Sequence, residues 1–247
     1  AGRMGNRMFQ YAAGYVLSKQ LDYNFFYDEL PNFKIERKLP THHLENIYRT
    51  RVDGNNSFNI DKIKNHNGDI IVDSYAQRSE YFIPYRDDLI KEFNLPAPLY
   101  NIPEDALLVH IRETDYKDIN FFLGYDFYKK AIEDSNFNNV YIVTDNSYCE
   151  TVQKLVAEGC KLVTEGYVDK FELSSNDRSM FDFMSLYSAK NIFLSQSSFS
   201  WWAAFLGDHN KIIFPYKEKN VQWPLNPGSD DIDLYFDLEN ISVKYFI

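Results

Sequence analysis

The chain has 247 residues and a formal net charge of −10, because 36 Asp and Glu residues outnumber 26 Lys and Arg residues. A hydrophobic fraction of 45% and a charged fraction of 25% are typical of a folded globular protein and exclude disorder as its main state. The acidic balance disfavours general nucleic-acid binding, and two cysteines exclude a disulfide framework. Because no apolar run approaches the roughly 20 residues of a membrane span, membrane association is not evident and a cytoplasmic protein is expected.

The first hundred residues predict a less regular lobe than the rest of the chain. A glycine turn at residues 2–5 opens directly into a helix. Such a turn normally follows a strand, so that strand is expected upstream of this chain or absent from this half. The expected elements of the lobe are helices over 7–21 and 84–93, strands over 24–27 and 69–75, and loops over 29–67.

Three prolines between Leu95 and Pro103 predict an extended linker, since proline cannot continue a helix. We therefore expect two lobes, residues 1–100 and 101–247. After the linker, short apolar runs alternate with helical patterns. The expected strands are 106–111, 139–144, 161–163, 191–194 and 211–214, and the expected helices are 125–133, 147–158 with Ser147 as N-cap, 177–190 and 201–206.

Strands that alternate with helices at these short spacings predict an α/β fold with a parallel sheet covered on both faces. Ligands of such sheets bind beyond the carboxyl ends of the strands. Candidate functional residues are therefore sought in the loops that follow Ile111, Thr144 and Leu194.

The segment 110–116, HIRETDY, ends the first strand after the linker. Alternation along a strand places His110 and Arg112 on one side and Glu113 on the other. A guanidinium near the carboxyl end of a strand is suited to bind a phosphate through a two-pronged, charge-assisted hydrogen bond. The structural alternative is an ion pair between Arg112 and Asp115, and position alone leaves both interpretations open.

The segment 195–202, SQSSFSWW, places several hydroxyl groups between a strand and a helix. Backbone amides and the dipole at a helix N-terminus favour phosphate binding. The structural alternative is a helix capped by Ser198 or Ser200, with both tryptophans in the core. This segment is expected opposite Arg112 in the same crevice, and that position favours phosphate binding over the structural alternative.

Asp145 follows a third strand at the same edge of the sheet. Its carboxylate is suited to accept hydrogen bonds from a base or a ribose, although position alone favours capping of the next helix.

The sequence motifs of several other enzyme classes are absent. The chain has no G-x-G-x-x-G dinucleotide fingerprint, no phosphate-binding P-loop and no G-x-S-x-G elbow of serine hydrolases. The pair His42-His43 has no third ligand at a suitable spacing, so no metal site is expected.

Four segments together resemble the α-1,2-fucosyltransferases of glycosyltransferase family 11. Residues 2–12, GRMGNRMFQYA, are similar to the G-x-L-G-N-Q-M-F-Q-Y-A opening of the family, and residues 75–82, YAQRSEYF, to its G-Y-x-Q-S-E-x-Y-F segment. Residues 110–116 match H-x-R-R-x-D-Y except at one position, and residues 181–202 contain FDFMS, NI and SSFSWW of the C-terminal signature. The resemblance runs from residue 1 to about residue 216, and its last signature is long and specific.

The resemblance implies a GT-B-like fold of two Rossmann-like lobes with a cleft between them. It further implies GDP-fucose as donor, inversion at the anomeric carbon, and transfer to the 2-hydroxyl of a terminal β-galactoside, without a metal or cofactor. Residues 1–100 would then form the acceptor-side lobe, and residues 101–247 the GDP-fucose-binding lobe with a C-terminal tail. A truncated eukaryotic member would belong in the Golgi lumen rather than the cytoplasm.

Roles for individual residues also follow from the resemblance. Arg112 would hold the pyrophosphate and stabilise the charge on the departing GDP, with His110 assisting beside it. Asp115 is the candidate general base, and Glu113 is the alternative. The further donor-side residues are Asn6 toward the β-phosphate, Asp145 at the nucleoside, and Ser197, Ser198, Phe199 and Ser200 along the phosphates.

Two departures from the family pattern concern charge. The second arginine of H-x-R-R is Glu113 here, and the glutamine that follows Asn6 is Arg7, which we hypothesise restores positive charge if it faces the cleft. Two alternatives stay open, because phosphate-binding motifs indicate the donor better than the acceptor, and because Glu113 and the missing first strand are departures that a silent module would also show. One is a GDP-fucose-dependent transferase of different linkage or acceptor, and the other is a catalytically silent nucleotide-sugar or glycan-binding module.

Overall fold

The computed structural model describes residues 3–50, 63–96, 102–116, 122–163, 174–215, 232–238 and 242–246. The chain divides into two compact units. The first unit comprises residues 1–95 and 222–236, and the second comprises residues 96–221 and 237–247.

The described part of the first unit is mainly helical. Helix α1, Met4–Leu21, begins three residues earlier than predicted and ends where Asp22 adopts the left-handed conformation. The short strands β1, Tyr48–Arg49, and β2, Ile70–Ile71, form a parallel pair two residues long. Two 3-10 turns at 79–81 and 83–85 then lead into helix α2, Arg86–Phe93.

The strand predicted over 24–27 is wrong. Only Tyr27 forms a bridge there, an antiparallel one to Lys38, because the chain turns back sharply through a 3-10 helix at 31–33. The ring of Phe25 packs on α1 instead, with its centroid 5.1 Å from that of Tyr11. The apolar run therefore serves helix packing, and the strand predicted over 69–75 likewise shortens to β2.

The second unit is built from strands and helices in alternation. Its strands are β3, Leu107–Ile111; β4, Val140–Thr144; β5, Lys161–Leu162; β6, Asn191–Phe193; β7, Lys211–Pro215; and β8, Ser242–Phe246. Its helices are α3, Tyr125–Ser135; α4, Glu150–Ala157; α5, Ser175–Ser188; and α6, Ser198–Leu206. The predicted α/β class is confirmed, and β8 is a strand that the sequence pattern did not indicate.

The six strands of this unit form one parallel sheet in the order β5-β4-β3-β6-β7-β8. All five residues of β3 are buried, as expected for a central strand that is covered on both faces. From β3 the chain proceeds to β4 and β5 on one side, and afterwards to β6, β7 and β8 on the other. The strand order therefore reverses between β3 and β6, the position at which open parallel sheets bind ligands.

Three of the four helices of this unit begin at residues other than those predicted. Helix α5 begins at Ser175, two residues early, and the shifts of the other two, α4 and α6, have a common cause. Helix α4 begins after Cys149 rather than at Ser147, because the Asn146 side chain accepts a hydrogen bond from the Tyr148 amide at 3.0 Å and holds a turn there. Helix α6 begins at Ser198, three residues before the predicted start, because the Ser197 side chain accepts from the Phe199 amide and caps the helix. Both differences arise from local side chain to backbone hydrogen bonds.

Residues 232–236 belong to the first unit, whereas the predicted boundary at residue 100 assigned them to the second lobe. The Ser79 amide donates to the Asp233 carbonyl at 2.7 Å, and the Asp233 amide donates to the Gln77 carbonyl at 3.0 Å. Leu234 and Phe236 are buried. These contacts join segments more than 150 positions apart, so no local pattern indicates them.

Candidate active site

The candidate site lies in the second unit, in the loops that follow β3 and β6. Because β3 and β6 are neighbours in the sheet, these loops meet at the same edge. Tyr116 links them, since its hydroxyl donates to the Gln196 carbonyl at 3.4 Å and its ring lies 4.9 Å from the Arg112 guanidinium carbon. The tertiary structure thus brings the two predicted phosphate-binding segments together.

The Arg112 side chain is largely buried, with 12% of its surface exposed. One terminal nitrogen, Nη2, donates to both carboxylate oxygens of Asp115, at 3.0 and 3.2 Å. The predicted structural alternative, an ion pair with Asp115, is therefore present. The Nε–H group is nevertheless buried without a hydrogen-bond partner in the described structure. The guanidinium therefore forms an ion pair with Asp115 and also has an N–H donor, at Nε, that this ion pair does not use.

Gln196 is a site residue that sequence analysis missed. It is 4% exposed, and neither its side-chain oxygen nor its side-chain nitrogen has a hydrogen-bond partner in the described structure. A buried amide without partners costs about 1–3 kcal/mol for each orphaned group, so such groups require an explanation. The available signal was its place three residues after the buried strand β6, where a buried long amide side chain is unusual.

The His110 side chain, at the end of β3, contacts the segment that follows β6. Its Nδ1 lies 2.7 Å from the Ser195 hydroxyl, and its ring lies 5.6 Å from that of Phe199. The Tyr128 hydroxyl donates to the His110 carbonyl at 3.1 Å. Burial raises the pKa of Tyr128 well above its usual value, so this hydroxyl remains a donor. His110 is itself buried, and these contacts give it a positioning role.

The four residues predicted along the phosphates differ in their exposure. Ser197 is buried and caps α6, and Ser200 is buried with its hydroxyl donating to the Ser195 and Ser197 carbonyls. Ser198 and Phe199 are partly exposed at the first turn of α6. Trp201 and Trp202 lie in the core, as the structural alternative predicted.

Asp145 does not cap helix α4, which begins after Cys149. Its carboxylate instead accepts a hydrogen bond from the Thr114 hydroxyl, and Thr114 also donates to Asp115 at 3.2 Å. The loop after β4 is thereby tied to the loop after β3. Asp145 is exposed, and its contact with a nucleoside stays a prediction.

Glu113 points into the protein interior rather than toward Arg112. It is 2% exposed, and its Oε1 accepts a hydrogen bond from the Thr151 hydroxyl at 2.5 Å. Thr151 lies in the first turn of α4, where a carboxylate is favoured by the helix dipole. The geometry therefore gives Glu113 a structural contact and leaves Asp115, with 42% of its side chain exposed, as the accessible carboxylate.

Asn6 and Arg7 lie in the first unit, on helix α1. Asn6 is half-buried, and its side-chain oxygen accepts a hydrogen bond from the Gln77 amide at 3.2 Å. The Arg7 guanidinium donates to the Glu29 carbonyl. The predicted contact of Asn6 with a β-phosphate and the compensating charge of Arg7 both stay predictions.

The described ranges of the chain contain no group of three or more His, Cys, Asp or Glu residues arranged to hold a metal ion. Cys149 and Cys160 are both free cysteines. Across the same described residues, no helix combines the length and the apolar character that crossing a membrane requires.

The fold and site define an α/β protein with a parallel sheet whose switch-point crevice carries a buried arginine beside a capped helix N-terminus. Over 86% of its length the chain is 23% identical to the O-antigen biosynthesis glycosyltransferase WbnK of Escherichia coli, of which the alignment covers 91%. No family model matches the chain, and no solved structure matches it. The similarity supports a glycosyltransferase, a class of enzyme that binds a nucleotide sugar and a glycan acceptor.

Proposed function

We propose that the chain is an inverting, metal-independent glycosyltransferase that moves L-fucose from GDP-fucose to the 2-hydroxyl of a terminal β-galactoside. The observation that carries this proposal is the buried Arg112 guanidinium at the sheet's switch point, whose Nε–H lacks a partner among the described residues. The resemblance of residues 110–116 and 197–202 to family 11 motifs supports GDP-fucose as the donor. The similarity to WbnK, a glycosyltransferase of O-antigen biosynthesis, supports sugar transfer to a glycan.

In this proposal the donor pyrophosphate binds Arg112 through Nε and one terminal nitrogen. Two parallel N–H donors match two phosphate oxygens, and burial strengthens the interaction by excluding water. The partly exposed turn at Ser198 and Phe199 supplies the positive end of helix α6. His110 keeps this turn against β3 through Ser195, Asp145 faces the nucleoside, and Asn6 reaches the β-phosphate.

The Arg112–Asp115 ion pair gives donor binding a second consequence. In the structure both carboxylate oxygens of Asp115 accept hydrogen bonds from Arg112 Nη2. When a pyrophosphate occupies Arg112 Nη2, Asp115 loses both of its hydrogen bonds from that atom. Donor binding would thereby release Asp115 as the general base beside the bound sugar.

The transfer step follows from these positions. The acceptor 2-hydroxyl attacks the anomeric carbon of fucose, and the bond from that carbon to the β-phosphate oxygen breaks with its electron pair passing to GDP. The hydroxyl proton passes to Asp115. Arg112 stabilises the negative charge that grows on GDP, a preorganised electrostatic contribution of the kind that removes several kcal/mol from a barrier.

The test is GDP release from GDP-fucose, with and without a β-galactoside, in the presence of EDTA. We expect acceptor-dependent release that survives EDTA, falls by about 100-fold or more in Arg112→Ala, and is unchanged in Lys154→Ala. Lys154 is a matched control because it is an exposed cation of the same unit, paired with Glu150. Product analysis then establishes the linkage.

The alternatives predict different results in the same assay. Release with another acceptor, or a product of another linkage, would indicate a different GDP-fucose-dependent transferase. GDP-fucose binding without release across a broad panel of acceptors would indicate a silent nucleotide-sugar-binding module. Loss of activity in EDTA that Mg²⁺ restores would contradict the metal-independent mechanism.

A further inference from the structure

The first unit contains a cavity of about 430 Å³ that no role above uses. It is lined by one face of helix α1 and by residues 23–30, 38–40, 44 and 69–72. Its volume lies within the range of about 300–1,000 Å³ typical of small-molecule sites. A ligand that fits this space has the size of one or two sugar rings.

Aromatic rings form one wall of the cavity. The ring centroids of Tyr11, Phe25 and Tyr27 lie 4.8 to 5.1 Å from one another. Gly14 permits this arrangement, because a Cβ atom at that position would lie 2.5 Å from Phe25 Cε2. The apolar face of a sugar ring, formed by its C–H bonds, packs on aromatic surfaces of this kind.

Two amide side chains of the lining lack partners. Gln10, on α1, and Asn24, on the adjoining loop, form no side-chain hydrogen bond to any residue in the described ranges. An amide offers both a donor and an acceptor, which matches a hydroxyl group that also does both. The lining therefore contains amide groups and aromatic rings, which can hydrogen-bond to the hydroxyl groups of a neutral sugar and pack against its apolar face.

The lining carries two cations, Arg7 and Lys38, against three carboxylates, Asp28, Glu29 and Asp69, so its charge does not favour an anionic ligand. The pKa of Asp28 is lowered, because the Glu29 amide donates to its carboxylate and Arg37 pairs with it. The pKa of Asp69 is also lowered, by the Glu45 amide and by His42. Both carboxylates are therefore ionised at neutral pH and available as hydrogen-bond acceptors, while they repel a phosphate.

We propose that this cavity binds a neutral sugar of the acceptor glycan, with a terminal β-galactoside as the ligand. The proposal rests on the proposed function for the identity of that sugar. Gln10 and Asn24 contact its hydroxyl groups, and the rings of Phe25 and Tyr27 pack against its apolar face. Residues of the first unit alone would thus form the binding site for the acceptor sugar.

The experiment measures binding of lactose, a β-galactoside disaccharide, to the whole chain by saturation-transfer NMR titration. We expect Gln10→Met and Asn24→Ala to weaken lactose binding about fivefold each, as the loss of one hydrogen bond predicts. Gln20→Met is the matched control, because Gln20 is an exposed glutamine of the same helix that does not line the cavity. Asn24 lies on an exposed loop, so its variant tests the site even if Gln10→Met destabilises the helix.

GDP binding, measured by calorimetry on the same variants, separates this inference from the proposed function. Weakened lactose binding with unchanged GDP binding supports the cavity as the sugar site. Lactose binding unaltered in both variants, or the absence of lactose binding, overturns the inference whether or not GDP binds. Absence of GDP binding in the unaltered chain counts against the proposed function alone.

Discussion

Arg112 combines a structural contact with an unused donor. Its Nη2 atom is committed to Asp115, whereas its Nε–H has no partner in the described structure. Sequence position alone left the ion pair and the phosphate site as alternatives. In the structure the ion pair uses Nη2 and leaves Nε–H without a partner among the described residues, so the ion pair does not exclude phosphate binding.

Arg112→Lys tests whether the fork of donors matters beyond the charge. A lysine keeps the positive charge but loses Nε–H and the planar two-pronged geometry. We expect GDP affinity to fall by about tenfold or more, which calorimetry would measure. Affinity equal to that of the unaltered chain would show that Nε does not contact the phosphate.

Gln196→Leu tests the buried amide, because leucine approximates its shape without its polar atoms. Removing two unpaired polar groups should leave the free energy of unfolding unchanged or raise it by about 1–2 kcal/mol in the absence of ligand. The stabilisation provided by saturating GDP-fucose should become smaller, because we propose that the buried Gln196 amide hydrogen-bonds to the bound donor. Urea unfolding with and without the donor measures both quantities, and Gln20→Leu is the exposed control. A clear loss of stability without donor would show that the amide has a partner, such as ordered water.

At the scale of elements, the end of helix α6 depends on close packing around Gly207. A Cβ atom there would lie 2.3 Å from His209 Nε2 and 2.6 Å from the Tyr187 carbonyl. His209 is buried, with its Nδ1 2.6 Å from the Ala189 carbonyl. Helix α6 and strand β7 are therefore joined by a turn that excludes any larger residue.

Gly207→Ala should accordingly lower the free energy of unfolding by about 1–3 kcal/mol, the range for overpacking a well-packed interior. The measurement is the urea midpoint of the whole chain. An unchanged midpoint would show that His209 moves aside without loss of its hydrogen bond to Ala189. In that case the turn would tolerate substitution.

At the scale of the whole molecule, residues 232–236 pack in the first unit although they lie far from the rest of it in sequence. Phe236 is buried, and the neighbouring backbone pairs with Gln77 and Ser79. The first unit is therefore completed by a segment that lies in sequence between β7 and β8, two strands of the second unit's sheet. Its stability depends on a segment that sequence analysis assigned elsewhere.

Phe236→Ala should reduce hydrogen-exchange protection of the Ser79 amide, because truncation of a buried Phe costs about 3–5 kcal/mol. The amides of β3 and β4 should retain their protection. Phe214→Ala is the matched control, since Phe214 is equally buried but lies in β7 of the second unit. It should produce the reverse pattern, and identical patterns for the two variants would mean that the two units unfold as one.

The sequence by itself determined those features that local patterns encode. Continuous apolar runs ending at Ile111 and Thr144 predicted buried strands, and the helices between them predicted a parallel sheet with its ligands at the carboxyl edge. The same reasoning selected Arg112 and the serine-rich segment. The predicted strands and the parallel sheet are confirmed, because burial on both faces of a sheet requires an uninterrupted apolar run, whereas the ligand site stays a prediction.

Only the tertiary structure decided which loops meet. Strand order depends on packing between segments far apart in sequence, and it places β3 beside β6 and Arg112 near Gln196. Contacts between distant segments also decide three further features. These are the lack of described partners for Gln196, the cavity beside Gln10 and the packing of Phe236 in the first unit. Each is a property of distant residues in contact, and periodicity along the chain carries no information about such contacts.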